Sequence, residues 1–244
     1  MKITFLGSGD AFGSGGRLQT CILVETDQSH FLMDCGASSL TAMRKYDANP
    51  NDITTILLTH LHGDHFGGIP FFILDAQMIS KRTAPLTIAG PEGTKQRVTE
   101  LMEVMFPGSS KIEQKFAIDI IEIAVGQPMK INGLRVTSFL VNHPSGAPST
   151  ALRVEASDKI VAFSGDTAWC DNLVAVAQGA DLFITESYFF DKKVKNHLDY
   201  QTLSEHLPAL QVKKLVLTHM GPNMLANLAG ISCDYADDGK VFEI

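Results

Sequence analysis

Within only six residues, His60 to His65, the chain places four side chains that can bind a metal ion. The stretch reads HLHGDH and directly follows the apolar run Ile56–Leu58. Residues two apart at the end of a strand point the same way, so His60 and His62 can bind one ion together. Asp64 and His65 lie further into the turn, where they can face a second ion. Because neutral imidazole and carboxylate are the ligands that divalent metals such as zinc favour, the pattern predicts a metal site at the end of a strand.

The motif resembles that of the metallo-β-lactamase superfamily, and most closely its ribonuclease Z and phosphodiesterase branch. The HxHxDH motif is highly specific, and four weaker segments follow the family's order and spacing. These are the opening strand and glycine turn at Phe5–Gly9, an Asp-x-Gly turn at Leu32–Gly36, the turn of a shared aspartate at Phe163–Thr167, and a last ligand strand at Leu215–His219. The resemblance implies an αβ/βα four-layer sandwich, with two mixed β-sheets face to face, helices outside and metals at one rim. Periodicity alone predicts only an α/β protein with mixed sheets.

The same resemblance assigns the remaining metal ligands. It implies that His143 is the third histidine, that Asp166 is a carboxylate shared by two ions, and that His219 is the last ligand. One ion is then bound by His60, His62, His143 and Asp166, and the other by Asp64, His65, Asp166 and His219. The implied cofactors are two divalent ions, zinc with manganese as the alternative. A water between them loses a proton near neutral pH, which makes the expected reaction a hydrolysis through a bridging hydroxide.

Three residues are assigned to catalysis: Asp64, Glu186 and His197. In the phosphodiesterase branch a glutamate ends a strand and a histidine follows it, so the resemblance implies that His197 protonates the departing alkoxide and that Glu186 orients it. The chain departs from the family here, with Glu-Ser-Tyr in place of Glu-Ala-Thr and His-Leu-Asp in place of His-Ser-Thr. A loop role for His197 is therefore the alternative. Asp34 is expected to support the ligand loop as a hydrogen-bond acceptor.

The spacing of the ligands bears on the substrate. Transfer-RNA-processing members of the family carry a long arm after the third histidine, but His143 and Asp166 are only 23 positions apart and two predicted strands fill that interval. We therefore expect a small phosphodiester or cyclic nucleotide as substrate, with a tRNA 3′-processing endoribonuclease (ribonuclease Z) as the alternative. Lactone or thioester hydrolysis is disfavoured, because Trp169 and Cys170 stand where lactonases of the superfamily place a tyrosine. A di-iron redox module is disfavoured by His62, and a metal-binding scaffold without activity is the last alternative.

Composition adds few further constraints. With 244 residues, 45% hydrophobic and 19% charged, the chain has an ordinary globular composition and no linker, and we expect one domain over residues 1–244. A net charge of −7 argues against a broadly basic nucleic-acid surface, so a small anionic substrate is the expected partner and RNA is not favoured. No apolar run approaches the roughly 18 residues of a membrane span, and no signal peptide is recognised, so a cytoplasmic location is expected. Relatives are often dimers, which makes a homodimer an open expectation.

Hydrophobic periodicity and turn residues predict eleven strands and five helices. The strands are predicted at Lys2–Leu6, Thr20–Glu25, His30–Met33, Thr55–Leu58, Leu86–Ala89, Ala117–Ala124, Leu134–Val141, Thr150–Glu155, Ile160–Ser164, Asp181–Glu186 and Lys214–Thr218. The helices are predicted at Ser38–Tyr46, Ile69–Lys81, Pro91–Phe106, Thr167–Gln178 and Tyr200–Leu210.

Overall fold

A computed structural model describes residues 1–244 as two seven-stranded β-sheets with helices on their outer faces. The first sheet contains β1 Lys2–Gly7, β2 Cys21–Glu25, β3 His30–Met33, β4 Thr55–Leu57, β5 Leu86–Gly90, β6 Ile118–Glu122 and β14 Val241–Glu243. The second contains β7 Met129–Ile131, β8 Leu134–Leu140, β9 Thr150–Ala156, β10 Lys159–Phe163, β11 Leu182–Glu186, β12 Leu215–Thr218 and β13 Asp234–Tyr235. The helices are α1 Ser39–Lys45, α2 Gly63–Phe66, α3 Ile69–Met78, α4 Thr94–Met105, α5 Asn172–Ala177, α6 Tyr200–Leu210 and α7 Pro222–Leu225.

Both sheets are mixed, as predicted. The first has the order β14-β1-β2-β3-β4-β5-β6, antiparallel from β14 to β3 and parallel from β3 to β6. The second has the order β13-β12-β11-β10-β9-β8-β7, antiparallel from β7 to β10 and parallel from β10 to β13. Parallel neighbours end at the same edge of a sheet, so the loops after β3 and β4 lie together, as do those after β10, β11 and β12.

The two sheets pack face to face through a shared apolar core. Alternate residues of a strand point to opposite faces, so Ile3 and Phe5 of β1 face the second sheet while Leu6 faces the outer helices. The inner cluster contains 21 buried residues drawn from both sheets, among them Met33 of β3 and Ile184 of β11. Burying each such side chain contributes about 1.5–3 kcal/mol, so this layer holds the two sheets together.

Helices cover the outer face of each sheet. Helices α1, α3 and α4 pack on the first sheet through Met43, Phe72 and Val98, and α5, α6 and α7 pack on the second through Leu173, Leu203 and Met224. The layers therefore run helix, sheet, sheet, helix, which confirms the predicted αβ/βα sandwich. None of the helices combines the length and the apolar character needed to span a bilayer.

Several predicted boundaries differ from the structure. Helix α5 begins at Asn172 and not at Thr167, because the Thr167 N–H donates to the Glu186 carboxylate and the Ala168 N–H donates to the Asn142 carbonyl at 3.1 Å. Ala168 also pairs with Asn142 in an antiparallel β-bridge, so the chain is extended there and the helix begins only after it. Helix α4 begins at Thr94, three residues later than predicted. The short elements α2, α7, β7, β13 and β14 were not predicted.

Candidate metal centre

The seven side chains predicted to bind metal meet at one edge of the sandwich. The segment after β4 supplies the first four, two from a loop and two from α2, and the second sheet supplies one each after β8, β10 and β12. They form two groups, and within each group the donor atoms lie within 4.8 Å of one another. His197 lies within the same distance of His143 and Asp166, and the seven predicted donors themselves divide into two groups: His60, His62 and His143, and Asp64, His65, Asp166 and His219. Both sheets therefore contribute to both groups.

Asp166 lies between the two groups. Its Oδ2 atom is 4.0 Å from His60 Nε2, 3.9 Å from His143 Nε2 and 3.2 Å from His219 Nε2. Its Oδ1 atom is 3.2 Å from His65 Nε2. Donor atoms around a tetrahedral zinc ion lie about 3.3 Å apart when the zinc–nitrogen distance is about 2.0 Å. The spacing agrees with a carboxylate that faces two neighbouring cations.

Unpartnered buried atoms test whether these residues fit bound cations. His60 Nε2, His65 Nε2 and Asp166 Oδ1 are buried and have no hydrogen-bond partner. A buried polar atom left in this way costs about 1–3 kcal/mol. All three atoms point into the two donor groups, where a cation would be their partner. The residues present therefore fit the divalent ions that the motif implies.

In three of the histidines, the ring nitrogen Nδ1 contacts a neighbouring residue. Asp34 Oδ2 lies 2.6 Å from His65 Nδ1, and the Asn196 carbonyl oxygen lies 2.9 Å from His143 Nδ1. Thr59 Oγ1 lies 3.1 Å from His60 Nδ1. Since a carboxylate or carbonyl oxygen only accepts, Nδ1 of His65 and His143 carries a proton, and Nε2 of each ring is directed into the donor groups.

The backbone beside the donors adopts conformations that few residues tolerate. Asp34 has φ 61° and His219 has φ 55°, both in the left-handed region. Asp34 is fixed there because its carboxylate also accepts from the Thr59 N–H and hydroxyl, each at 2.8 Å. Gly165, before Asp166, has φ 57°, and a Cβ there would lie 2.9 Å from the Thr59 Cβ. Such backbone concentrates at functional sites, and Asp34 supports the ligand loop as predicted.

Burial and charge place most donors in the form that binds metal. Burial lowers the pKa of His60 well below its usual value, and it also lowers the pKa of His143 and His219, which favours neutral imidazoles. Burial opposes ionisation of Asp166, but His219 and His65 outweigh it and hold the pKa of that carboxyl well below its usual range. Neutral imidazole and ionised carboxylate are the ligating forms.

Glu186 and His197 form a hydrogen-bonded pair beside the donors. His197 Nδ1 lies 3.1 Å from Glu186 Oε2 and 3.2 Å from Oε1. Burial raises the pKa of the Glu186 carboxyl to about 8. Burial lowers the pKa of His197, but the hydrogen bond and the charge of Glu186 outweigh it and raise that pKa to about 9. The pair therefore holds a proton at neutral pH.

A cavity of about 390 Å³ opens over the donors, a size that suits a small molecule. Its walls combine five donor side chains and His197 with apolar and aromatic residues. The latter are Ala11, Phe12, Tyr188, Phe189 and Val194. Phe12 is 83% exposed although its loop is fixed, since the Asp10 carboxylate accepts from the backbone N–H groups of Phe12 and Ser14.

The sequence predicted the polar residues of this site but not its aromatic wall. Every predicted ligand lies in one of the two donor groups, and Glu186 and His197 lie beside them. His30 and His206 lie outside, the latter stacked on Trp169 with ring centroids 3.9 Å apart. An aromatic side chain in a glycine-rich loop was the available signal for Phe12, but no ligand pattern marks such a residue.

Comparison with known proteins agrees with this geometry. A ribonuclease Z of Methanothermobacter thermautotrophicus is 29% identical over 272 aligned residues, which cover 90% of this chain and 86% of the relative. The structure of human tRNase Z, short form, is 26% identical and superposes with a TM-score of 0.80, covering 100% of this chain and 99% of that one. The metallo-β-lactamase fold protein YhfI from Bacillus subtilis has the same TM-score of 0.80 at 19% identity, covering 99% of this chain and 98% of its own.

Fold, site and relatives define the class. The chain is a metal-dependent hydrolase of the metallo-β-lactamase superfamily, in the ribonuclease Z and phosphodiesterase branch. Within that class it belongs to the family described as anti-Pycsar protein Apyc1, whose model matches residues 1–241.

Proposed function

We propose that this chain hydrolyses small phosphodiesters, cyclic nucleotides among them, with two divalent cations held by the seven donors. The observation that carries the proposal is the pair of donor groups, with Asp166 between them, beneath a cavity of about 390 Å³. We expect zinc as the metal, with manganese as the alternative. When bound, such cations would stabilise hydroxide near neutral pH and polarise a phosphoryl oxygen.

The residues of the chain supply the binding site for the attacking water. Burial opposes ionisation of Asp64, but His65 and His219 outweigh it and hold the pKa of the Asp64 carboxyl well below its usual value. Asp64 lines the cavity, so its ionised carboxylate would accept a hydrogen bond from the water and orient it for attack. In this role Asp64 both contributes to a donor group and takes part in catalysis.

His197 would then protonate the leaving alkoxide. Its Nδ1 atom is occupied by Glu186, which leaves Nε2 as the atom that can donate into the cavity. Glu186 is completely buried and its carboxylate also accepts from the Thr167 N–H, so the carboxylate is held beside the histidine. Glu186 thereby fixes the direction in which His197 donates.

The short segment between His143 and Asp166 supports a small substrate. Only β9, β10 and their turns lie between His143 and Asp166, so no segment protrudes there to contact a larger molecule. The chain's net charge of −7 also disfavours an extended polyanion. A tRNA 3′ endoribonuclease is the second candidate, because relatives that cover 90% of the chain are named ribonuclease Z.

A substrate panel tests the proposal. The zinc- or manganese-loaded protein would be incubated with bis(p-nitrophenyl) phosphate, cyclic nucleotides, a pre-tRNA, a lactone and a thioester. We expect hydrolysis of the small phosphodiesters and little cleavage of pre-tRNA. Efficient site-specific cleavage of pre-tRNA at physiological salt would support the second candidate, and hydrolysis of the lactone alone would overturn the proposal.

The proposed chemistry bears on the partner of the chain and not on its oligomeric state or its location. We infer a small anionic molecule as substrate. The homodimer and the cytoplasmic location stay predictions, and light scattering of the purified protein measures the first of them.

A further inference from the structure

We propose that three lysines beside the cavity, Lys192, Lys193 and Lys195, form a capture surface for anionic substrates. The efficiency of hydrolysis, kcat/KM, would then rise with the negative charge of the substrate. We call these residues the lysine loop. The inference rests on the proposed function, because it assumes that a phosphodiester enters this cavity.

The segment that carries the lysine loop borders the cavity. Val194, between two of its lysines, lines the cavity, and so does His197 two residues after the last lysine. A β-bridge between Val194 and His197 closes the segment into a tight turn. The Lys192 ammonium lies 5.3 Å from the centre of the Phe189 ring, and that ring also lines the cavity. The segment that carries the lysines therefore runs beside the cavity, and the Lys192 ammonium lies against one of its wall residues.

The ammonium groups of the lysine loop are not paired with carboxylates. All three lysines are exposed, and none has a carboxylate within 4.0 Å of its ammonium group. Other lysines of the chain are paired in this way, such as Lys159 and Lys213 with Asp181. Asp191 is the one acidic residue of the segment from 191 to 195, so its formal charge is +2 in a chain whose net charge is −7.

A local positive charge in an acidic protein has a specific effect on anions. Charge around a cleft raises the association rate of an oppositely charged ligand by about 10–10³-fold, and salt weakens the effect. At physiological ionic strength the screening length is about 8 Å, so only charges near the entrance act strongly on an incoming molecule. Most runs of exposed lysines only keep a surface solvated. The position of this run beside the cavity is what points to substrate capture.

Two chromogenic substrates that differ in one phosphate group test the proposal. Thymidine 5′-(p-nitrophenyl phosphate) carries one negative charge, and its 3′-phosphorylated form carries about two more. We expect wild-type kcat/KM at low salt to be about 10-fold higher for the second substrate and the preference to shrink as salt rises. In the triple variant Lys192→Gln, Lys193→Gln, Lys195→Gln, the preference should fall to about two-fold with kcat retained.

A matched control separates local from general charge. The variant Lys81→Gln, Lys95→Gln, Lys130→Gln removes three exposed lysines whose neighbouring residues do not line the cavity, and it has the same net charge as the lysine-loop variant. Bound cations attract the substrate in both variants, so the difference between the variants measures the lysine loop alone. Equal substrate preference in the two variants would overturn the proposal.

A binding measurement distinguishes this proposal from the proposed function. Calorimetry would follow thymidine 3′,5′-bisphosphate binding to the metal-loaded protein at two salt concentrations. We expect the dissociation constant to rise about 10-fold in the lysine-loop variant and to stay near the wild-type value in the control. If the lysine-loop variant binds the bisphosphate more weakly than the control does and neither ester is hydrolysed, the result would support capture and contradict the proposed function. Equal binding by both variants would overturn capture whatever the activity.

Discussion

At the level of single residues, Asp166 matters most for metal binding because its carboxylate faces both donor groups. Asp166→Ala should therefore lower the content of both metals, and His60→Ala should lower the content of one. We expect hydrolysis to fall at least about 10²-fold in each, the loss typical of removing one electrostatic stabiliser. Elemental analysis after desalting measures the metal, and His206→Ala is the control because His206 stacks on Trp169 outside the site. Full activity in the presence of a chelator would contradict the metal-dependent mechanism.

Asp34 acts through His65. Replacing it with asparagine removes the negative charge and retains a residue type that tolerates φ 61°. We expect metal affinity to fall about 10–100-fold in Asp34→Asn, because the imidazole loses the partner that orients it. Asp34→Ala should lose more, since alanine is also strained at this φ. A competition titration with a chromogenic chelator measures both, and unchanged affinity in both variants would contradict the orienting role.

His197 provides the sharpest test of the mechanism. If it protonates the leaving alkoxide, His197→Ala should hydrolyse a nucleoside ester about 10²–10⁴-fold more slowly. A nitrophenolate leaves without a proton, so the nitrophenyl ester should react at nearly the wild-type rate. Metal content should stay unchanged, because His197 belongs to neither four-residue set of the proposed ligands. Equal losses on both substrates would show a structural role instead.

The residues that could be predicted are those with a chemical pattern. His60 to His65 stand at a recognisable spacing, and the family resemblance placed His143, Asp166 and His219. Phe12 and Phe189 could not be predicted, because an apolar residue in a loop looks the same whether it lines a cavity or packs elsewhere. Nor does a sequence show that Asn196 offers its carbonyl to a histidine 53 positions away.

At the level of elements, long apolar strands were predictable and short edge strands were not. Strands β4 and β12 both lead into a Thr-His pair, Thr59-His60 and Thr218-His219, and both were predicted with their ligands. Strands β7, β13 and β14 have only two or three residues, too few to show alternation. They form because a neighbouring strand offers free backbone groups. The predicted start of α5 was wrong because contacts distant in sequence also decide it: the backbone N–H of Thr167 donates to the Glu186 carboxylate.

Asp181 links the starts of β10 and β11, and it predicts that the stability of the fold depends on pH. It accepts from the Ile160 N–H at 2.9 Å and from Lys213 Nζ at 2.8 Å. Burial raises the pKa of Asp181, but these hydrogen bonds outweigh it and lower that pKa below 3.8. Because the folded pKa lies below the unfolded one, the carboxylate stabilises the fold above about pH 4, and this contribution is lost as pH falls through the folded pKa.

Asp181→Asn should accordingly lower the free energy of unfolding at pH 7 by about 1–2 kcal/mol. The difference from wild type should shrink below about pH 4. Urea denaturation at several pH values measures it. Asp119→Asn is the control, because Asp119 is exposed and makes no ion pair within 4.0 Å. A difference that is constant with pH would show that the charge of Asp181 is not responsible.

At the level of the whole molecule, the family resemblance predicted the sandwich. The packing contacts that stabilise it could not be predicted in the same way. Sequence periodicity shows which residues are buried but not that Met33 and Ile184, which lie 151 positions apart, share one core. That pairing depends on the register of two sheets, which no local pattern encodes. Because the inner core belongs to both sheets equally, we infer that residues 1–244 form one domain.

Each donor group takes side chains from both sheets, and this affects how the two sheets can separate. Bound cations would cross-link the sheets, since they would tie His60 to Asp166 across 106 positions of chain. A ligand present at 100 times its dissociation constant stabilises the folded state by about 2.7 kcal/mol. Chelation should therefore lower the melting temperature and speed amide hydrogen exchange at the ends of β4, β10 and β12 together. Faster exchange in one sheet alone would mean that the cations do not link the two. If the exchange is concerted, the metal centre also fixes how far the two sheets can separate.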